Sequence, residues 1–533
     1  MAAPDASSII ASLIAPGRWW GGSTITYSIP REGSTWPGYG TGEEPNVAGY
    51  SVLNTAQGLR FSAAIEAWDR LVATRFVQTD DVASPGQLRV AFTDLTLVDH
   101  DHDDDDDEAS WGFAYFPPVN GSAGLPHMGD TWITKDKVSA TFPAGSYDFS
   151  AMLHELGHAI GLKHSFEDGA VLPAAYDTTR YTLMSYTTAT DSIFWQAEAT
   201  ATGVRIIPTR VAPETPMVFD ILAIQARYGA DPATAAGDTT YSWDQNRPFF
   251  QAIYDAGGID TFDLSGHTRG SVIDLTPGAY SSIAQYTAQA QIADLLVRFT
   301  WAQDFFNEHI LDPETYTWTN NLGLAYNTVI ENVIGGSGAD TILGNSANNV
   351  ITGGDGLSYL RGFDGDDQIR GGRDFDDLHG NAGNDTLWGG GGGDWVVGGK
   401  DNDLLHGEAG DDIVYGNLGN DTGYGGDGND LIRGGQGDDQ LFGGPGNDWM
   451  SGDRGNDTLS GGPGADIFST FGDAGIDRVL DFNSAEGDRV RFDPGTSWTL
   501  VFSGSDTVIN MVGGAQMTLV GVTAATLGDW MLA

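Results

Sequence analysis

The chain has 533 residues, more than one compact domain holds. Its 73 Asp and Glu against 25 Lys and Arg give a formal net charge of −48, which excludes nucleic acid and an anionic lipid surface as partners. With no cysteine it can have no disulfide, thiol nucleophile or thiolate metal site; 40% apolar residues still provide for a real core.

In chain order, residues 1–16 carry an apolar stretch, Ile9 to Ala15, without the basic residues of a secretory signal. Residues 17–235 read as a mixed α+β domain. Ser23–Ile29, Gln87–Thr93 and Gly112–Phe116 have strand character. Phe61, Ile65, Trp68, Leu71 and Val72 recur at helical spacing and predict a helix over Phe61–Phe76. Asp99 to Glu108 holds eight acids in ten residues, a pattern expected of a solvated loop, or of local cation capture with His100 and His102.

Ser150 to His164 reads SAMLHELGHAIGLKH. His154 and His158 stand four apart, so one helix face offers two imidazoles to one metal, with Glu155 beside them as a base towards an activated water. Gly161 can take a positive φ and end the helix sharply, which lets His164 supply a third nitrogen. Three neutral His with an open fourth position suit a catalytic zinc. Tyr181 to Tyr186 reads YTLMSY, with Met184 in a turn that resembles the metzincin Met-turn. Met217–Tyr228 reads as a helix closed by Gly229, and residues 236–334 as β-rich and aromatic.

From Gly335 to Ser469 the sequence advances in steps of nine for 15 repeats without an insertion. Position 1 is Gly in all 15, position 6 is Asp in 13, and position 8 is apolar in 14. Gly permits the tight turns, and the apolar residue makes a short strand with one inward side chain. Two repeats make a coil of 18 residues, and stacked coils make a parallel β-roll. Repeats two apart then face each other turn to turn, and their hard oxygen ligands suit Ca²⁺. Ten complete Asp pairs follow, built from Asp367, Asp376, Asp385, Asp394, Asp403, Asp412, Asp421, Asp430, Asp439, Asp448, Asp457 and Asp466. The block carries 24 acids and 6 bases, so ten Ca²⁺ would balance its net −18. Residues 470–533 mix strands such as Arg489–Phe492 and Thr518–Val522 with turns, and are expected to cap the roll.

With HELGHAIGLKH, YTLMSY, PMVFDILAIQARYGAD (216–231), IYDAGGIDTFDLSG (253–266) and IENVIGGSGAD (330–340) together, the chain resembles the serralysins, secreted calcium-dependent zinc endopeptidases of bacteria. The resemblance implies a metzincin α+β catalytic domain followed by an all-β parallel β-roll (RTX) with a β cap. It implies zinc on His154, His158, His164 and Tyr186. Tyr186 would swing away to donate to the tetrahedral intermediate, and Glu155 would act as general base and then acid. It implies further calcium ligands at Gly237, Thr239, Asp255, Gly257, Asp260, Glu331 and Asp340. Asp130–Thr134 looks like the family's edge strand, against which a peptide would lie extended. Also implied are a short propeptide over residues 1–16 and export by a type I secretion machinery through a C-terminal signal ending Asp529 to Ala533. The product would be an extracellular monomer acting on protein and peptide substrates, with a small proteinaceous inhibitor among its partners. Ser165 stands where the family usually has Pro, and Ala235 where an Arg calcium ligand is usual. Two rival readings are a calcium-folded adhesin with a decayed protease domain, and a different zinc hydrolase such as a deacylase. The intact Glu155 argues against the first and the Met-turn against the second.

Overall fold

The computed structural model describes residues 4–39, 50–93, 111–122, 124–134, 139–167, 169–527 and 530–531. The acidic run Asp99–Glu108, with Asp529, Leu532 and Ala533, lies outside the described residues.

Helix α1 (Ala6–Leu13) starts where the Asp5 carboxylate accepts from Ser8 N at 2.9 Å. Its Ile9 and Leu13 are fully buried in one core with Phe61, Trp68, Leu156 and Ile224. Backbone bonds from Ala15 N to Gly161 O (3.0 Å) and from Lys163 N to Leu13 O (2.8 Å) tie this segment to the chain after the site helix. Residues 6–15 therefore pack as part of the same core.

Two small sheets come first, one of β1 (Thr24–Tyr27) and β2 (Arg75–Gln78), the other of β3 (Arg89–Thr93), β4 (Gly112–Ala114) and β5 (Asp130–Thr134). β1 runs parallel to β2, β3 parallel to β5, and β4 antiparallel to β5. Bonds from Ser28 N to Leu88 O (3.0 Å) and from Gln87 N to Thr26 O (2.7 Å) join β1 to β3. Asp130–Thr134 is therefore not an edge strand, which corrects the expectation. It is paired on both sides and buried throughout. The Asp130 carboxylate takes both arms of Arg89 on β3 (3.0 and 3.1 Å), which fixes that neighbour. Among the described residues, β4 pairs with β5 alone.

Helix α2 (Thr55–Asp69) begins six residues before the expected start, because Asn54 and Gln57 close a capping box. It ends before Arg75–Phe76, which pair with β1 instead. Helix α3 (Tyr147–Ile160) carries the zinc motif. A hairpin, β6 (Ile193–Thr200) and β7 (Gly203–Arg210), follows the Met-turn, and α4 (Val218–Tyr228) closes the domain at Gly229. The stretch 236–334 is not only strands: α5 (Ala288–Arg298) and α6 (Gln303–Ile310) lie within it. They share a small core of Ile292, Phe299, Phe306 and Ile310 with Trp195, Val204 and Ile206 of the hairpin.

The repeats supply the middle of two sheets, of 14 and 10 strands, where their strands are parallel and each pairs with the one 18 residues on. The first sheet starts upstream of the repeats, with Thr240–Ser242, Thr261–Asp263 and Asn332–Ile334. Position 8 points inward on both sheets, as in Ile369, Leu387 and Leu405 against Leu378, Val396 and Val414, each at most 1% exposed. At the exception, Gly423, a Cβ would come 3.2 Å from Leu441 Cδ2, so neighbours occupy the space. Coils approach so closely at the turns that a Cβ on Gly410 (φ +143°) would lie 1.2 Å from Gly392 O, which no other residue type tolerates. Downstream, Ile476–Val479 and Arg489–Phe492 continue the two sheets, and the antiparallel strands Trp498–Ser503, Asp506–Met511 and Gln516–Leu519 cover the end.

Candidate functional site

α3 begins where Ser146 Oγ accepts from Phe149 N (3.3 Å) and stops at Gly161, with φ at +109°. The chain then reverses and carries His164 back over the helix. The three Nε2 atoms converge at separations of 3.1 Å (His154–His158), 3.0 Å (His158–His164) and 3.3 Å (His154–His164). Tetrahedral ligands at the ordinary Zn–N length of ~2.05 Å would stand ~3.3 Å apart, so the triad fits zinc. Each Nδ1 is held from behind: His154 by Leu183 O (2.6 Å), His158 by Leu162 O (2.8 Å) and His164 by the Glu167 carboxylate. Burial, then the neighbouring His164, pushes the His154 imidazole down to about 3, and the same causes hold His158 well below the usual range. Both are therefore neutral, as metal ligands must be.

Glu155 lies beside them on the helix, buried, and burial alone raises its carboxyl to about 8. A carboxylate with no cation near it is costly in such a place, and a divalent cation on the triad would favour its ionised form. The Tyr186 ring lies 4.5 Å from the His164 ring and 5.7 Å from that of His154, with the residue 65% exposed. Met184 is fully buried beneath the helix, and a Cβ on Gly157 would come 2.8 Å from its Sδ.

Asp220 of α4, unmentioned by the motif, organises this floor. Its carboxylate accepts from Leu183 N (2.7 Å), Thr182 Oγ1 (2.5 Å) and Met217 N (2.9 Å), and Leu183 O in turn holds His154. Burial raises Asp220 to about 6 despite those three donors. Asp220→Ala would orphan two buried N–H groups, and we expect a loss of about 2–3 kcal/mol of stability together with weaker metal retention. An unchanged thermal midpoint in calorimetry would contradict this. Ser165 donates from its N to Met184 O (3.2 Å) and from its Oγ to Asp177, a backbone bond that Pro could not make.

The expected calcium residues also come together. Ahead of the repeats, Asp260 Oδ1 accepts from Thr239 N (2.8 Å), Glu331 accepts from Asp260 N (2.8 Å), and Thr239 Oγ1 donates to Gly237 O (2.8 Å). Asp255 accepts from Gly257 N (2.9 Å) and from the Tyr241 hydroxyl (2.7 Å). In the roll each Asp N donates to the Asp Oδ1 18 residues on, from Asp367–Asp385 (2.8 Å) to Asp448–Asp466 (3.0 Å), through all ten pairs. The other oxygen, Oδ2, of Asp260 and of all twelve aspartates from Asp367 to Asp466 is buried with no hydrogen-bond partner. Burial raises these carboxyls to between about 6 (Asp412) and about 8 (Asp403). A row of orphaned carboxylate oxygens without counter-charge fits a hard cation. Asp340 differs: both its oxygens are taken, by Ser271 N (2.6 Å) and Gly336 N (3.0 Å).

The ladder of Asp N to Asp Oδ1 bonds does not stop at the last repeat. Asp457 N donates to Asp477 Oδ1 (3.3 Å) and Asp466 N to Asp488 Oδ1 (3.0 Å), at spacings of 20 and 22. The nine-residue register hides both, but each keeps the Asp-x-apolar signature, in Asp477-Arg478-Val479 and Asp488-Arg489-Val490.

Three family models match the chain: matrixin over residues 48–190, the peptidase M10 serralysin C terminus over 221–298, and the RTX calcium-binding nonapeptide repeat in six segments between 330 and 479. The chain is 27% identical over 342 residues to metallopeptidase AprA of Pseudomonas marginalis, spanning 60% of this chain and 59% of that one. It is 30% identical over 303 residues to metalloprotease AprA of Pseudomonas entomophila, spanning 50% and 54%. It is 27% identical over 359 residues to serralysin B of Dickeya chrysanthemi, spanning 60% and 63%. The match thus covers less than two thirds of each relative.

Proposed function

We propose that this chain, serralysin-like in its matrixin, serralysin C-terminal and RTX segments, is a secreted zinc endopeptidase that cleaves proteins and depends on calcium for its roll. The observation that carries the reading is the convergence of three imidazole nitrogens, 3.0–3.3 Å apart, beside one buried carboxylate.

His154, His158 and His164 would hold the zinc, with Tyr186 near enough to join or leave them. When bound, zinc polarises the scissile carbonyl and lowers the pKa of water towards ~7. Glu155 takes the proton of the attacking water and returns it to the leaving amine. Tyr186, on the exposed side of the triad, donates a hydrogen bond to the oxyanion as negative charge develops there. Calcium would sit between facing turns of the roll, on the orphaned oxygens of Asp367 to Asp466. Ahead of the repeats it would be held by Asp255, Gly257, Asp260, Glu331, Gly237 and Thr239. Asp340, Asp255 and Asp488 fit less well, since both oxygens of each already accept a hydrogen bond. Export through a type I machinery and capture by a small inhibitor belong to the same reading.

The test is hydrolysis of casein by the full chain. We expect activity that a zinc chelator abolishes at constant calcium and that zinc restores. Hydrolysis unaffected by zinc removal would defeat the proposal.

A further inference from the structure

We infer that Glu167, outside the zinc motif, is a positioning residue that sets how tightly the triad holds its metal; the inference rests on the zinc reading above. The three ligands are not supported alike. His154 and His158 lean on backbone carbonyls, of Leu183 and Leu162, that the fold fixes whatever the side chains are. His164 stands beyond the helix end, in a loop, and its Nδ1 meets the Glu167 side chain.

A carboxylate behind a ligating imidazole fixes the tautomer and ring orientation and makes Nε2 a stronger donor to the metal. The loop is built to keep that carboxylate in place. The buried Lys163 ammonium donates to three of its carbonyls, of His164 (3.4 Å), Glu167 (3.3 Å) and Ala170 (3.2 Å). Leu172 N closes the loop on Ser165 O at 2.9 Å. Phe166 stacks on the His164 ring at 5.1 Å with planes 5° apart, so the imidazole is oriented by the two residues 166 and 167 together. The Glu167 side chain is 33% exposed, so it can be replaced without opening a core cavity.

The test compares zinc affinity in the full chain at saturating calcium, by competition with a chromogenic chelator, for wild type, Glu167→Gln and Glu167→Ala. We expect Glu167→Ala to bind zinc about 10–100-fold more weakly. Glu167→Gln, which keeps the shape but not the charge, should fall between it and wild type. The thermal midpoint of the metal-free protein should be the same in all three. Equal zinc affinity in all three overturns the role of Glu167 and leaves the zinc reading standing. A loss confined to variants whose metal-free midpoint also falls assigns Glu167 to folding and likewise overturns it. A wild-type chain that takes up no zinc overturns both.

Discussion

Glu155→Ala is expected to lose peptide hydrolysis by a factor of at least ~10²–10⁴ while keeping its zinc. The three rings proposed to bind the metal do not lean on Glu155, since their Nδ1 atoms are held by Leu183 O, Leu162 O and Glu167. The fold should not suffer either. A buried carboxyl raised to about 8 is a cost that the site tolerates, and Ala removes it. Burial, which raises Glu155 to about 8, would leave it mostly protonated at pH 7 and unable to take a proton, whereas a divalent cation on the triad would favour the ionised form that a base needs. Casein hydrolysis and zinc content measured on the same preparation check the expectation. Activity within tenfold of wild type at full zinc would remove Glu155 from the role of base.

How far the residues foretell this arrangement depends on the range of the interaction. The triad is legible because its geometry is local: four residues along one helix, one left-handed glycine, and a short return. The roll is legible because each coil repeats its neighbour, so one register specifies every turn. Strand order is not local, and the resemblance that puts Asp130–Thr134 at an edge does not hold for it. Its central position follows from Arg89, 41 residues away, closing on Asp130. Asp220 escaped notice likewise, because it acts on Leu183 across 37 residues. The Asn54–Gln57 capping box was readable and would have moved the start of α2 to Thr55. The helices α5 and α6 were hidden by length: each is short, and their apolar faces make sense only against the hairpin β6–β7, which lies in a different stretch of the chain. Asp477 and Asp488 were lost because a strict period was required where the structure needs only the signature.

In the absence of calcium, the roll is expected to be a fold that forms in acid and fails at neutral pH. Twelve buried carboxylates, Asp367 to Asp466, each keep one oxygen without a partner. Unfolded, they would titrate near pH 4. Folded, burial raises them to between about 6 and about 8. The folded chain therefore binds more protons, and the stability this confers is complete below about pH 4. It is lost as pH rises through the folded values, between about 6 and 8. Above that window the row is a line of unneutralised buried charge, and one inward apolar residue in nine offsets neither it nor the backbone entropy of ordering the coils. Calcium is expected to do at pH 8 what protons do at pH 5: bound on the row it would neutralise it and also bridge facing turns, which would make binding and folding one event. Circular dichroism of the full chain should show β signal lost in chelator at pH 8, recovered on acidification to pH 5, and recovered cooperatively by calcium at pH 8. Because protons and calcium compete for the same oxygens, the calcium midpoint should rise as pH falls from 8 to 6. Asp412→Ala removes a carboxylate shared by the pairs with Asp394 and Asp430, and should raise the midpoint at pH 8. A roll that stays formed in chelator at pH 8, or a calcium midpoint indifferent to pH, would mean that the orphaned oxygens are not where the cation binds.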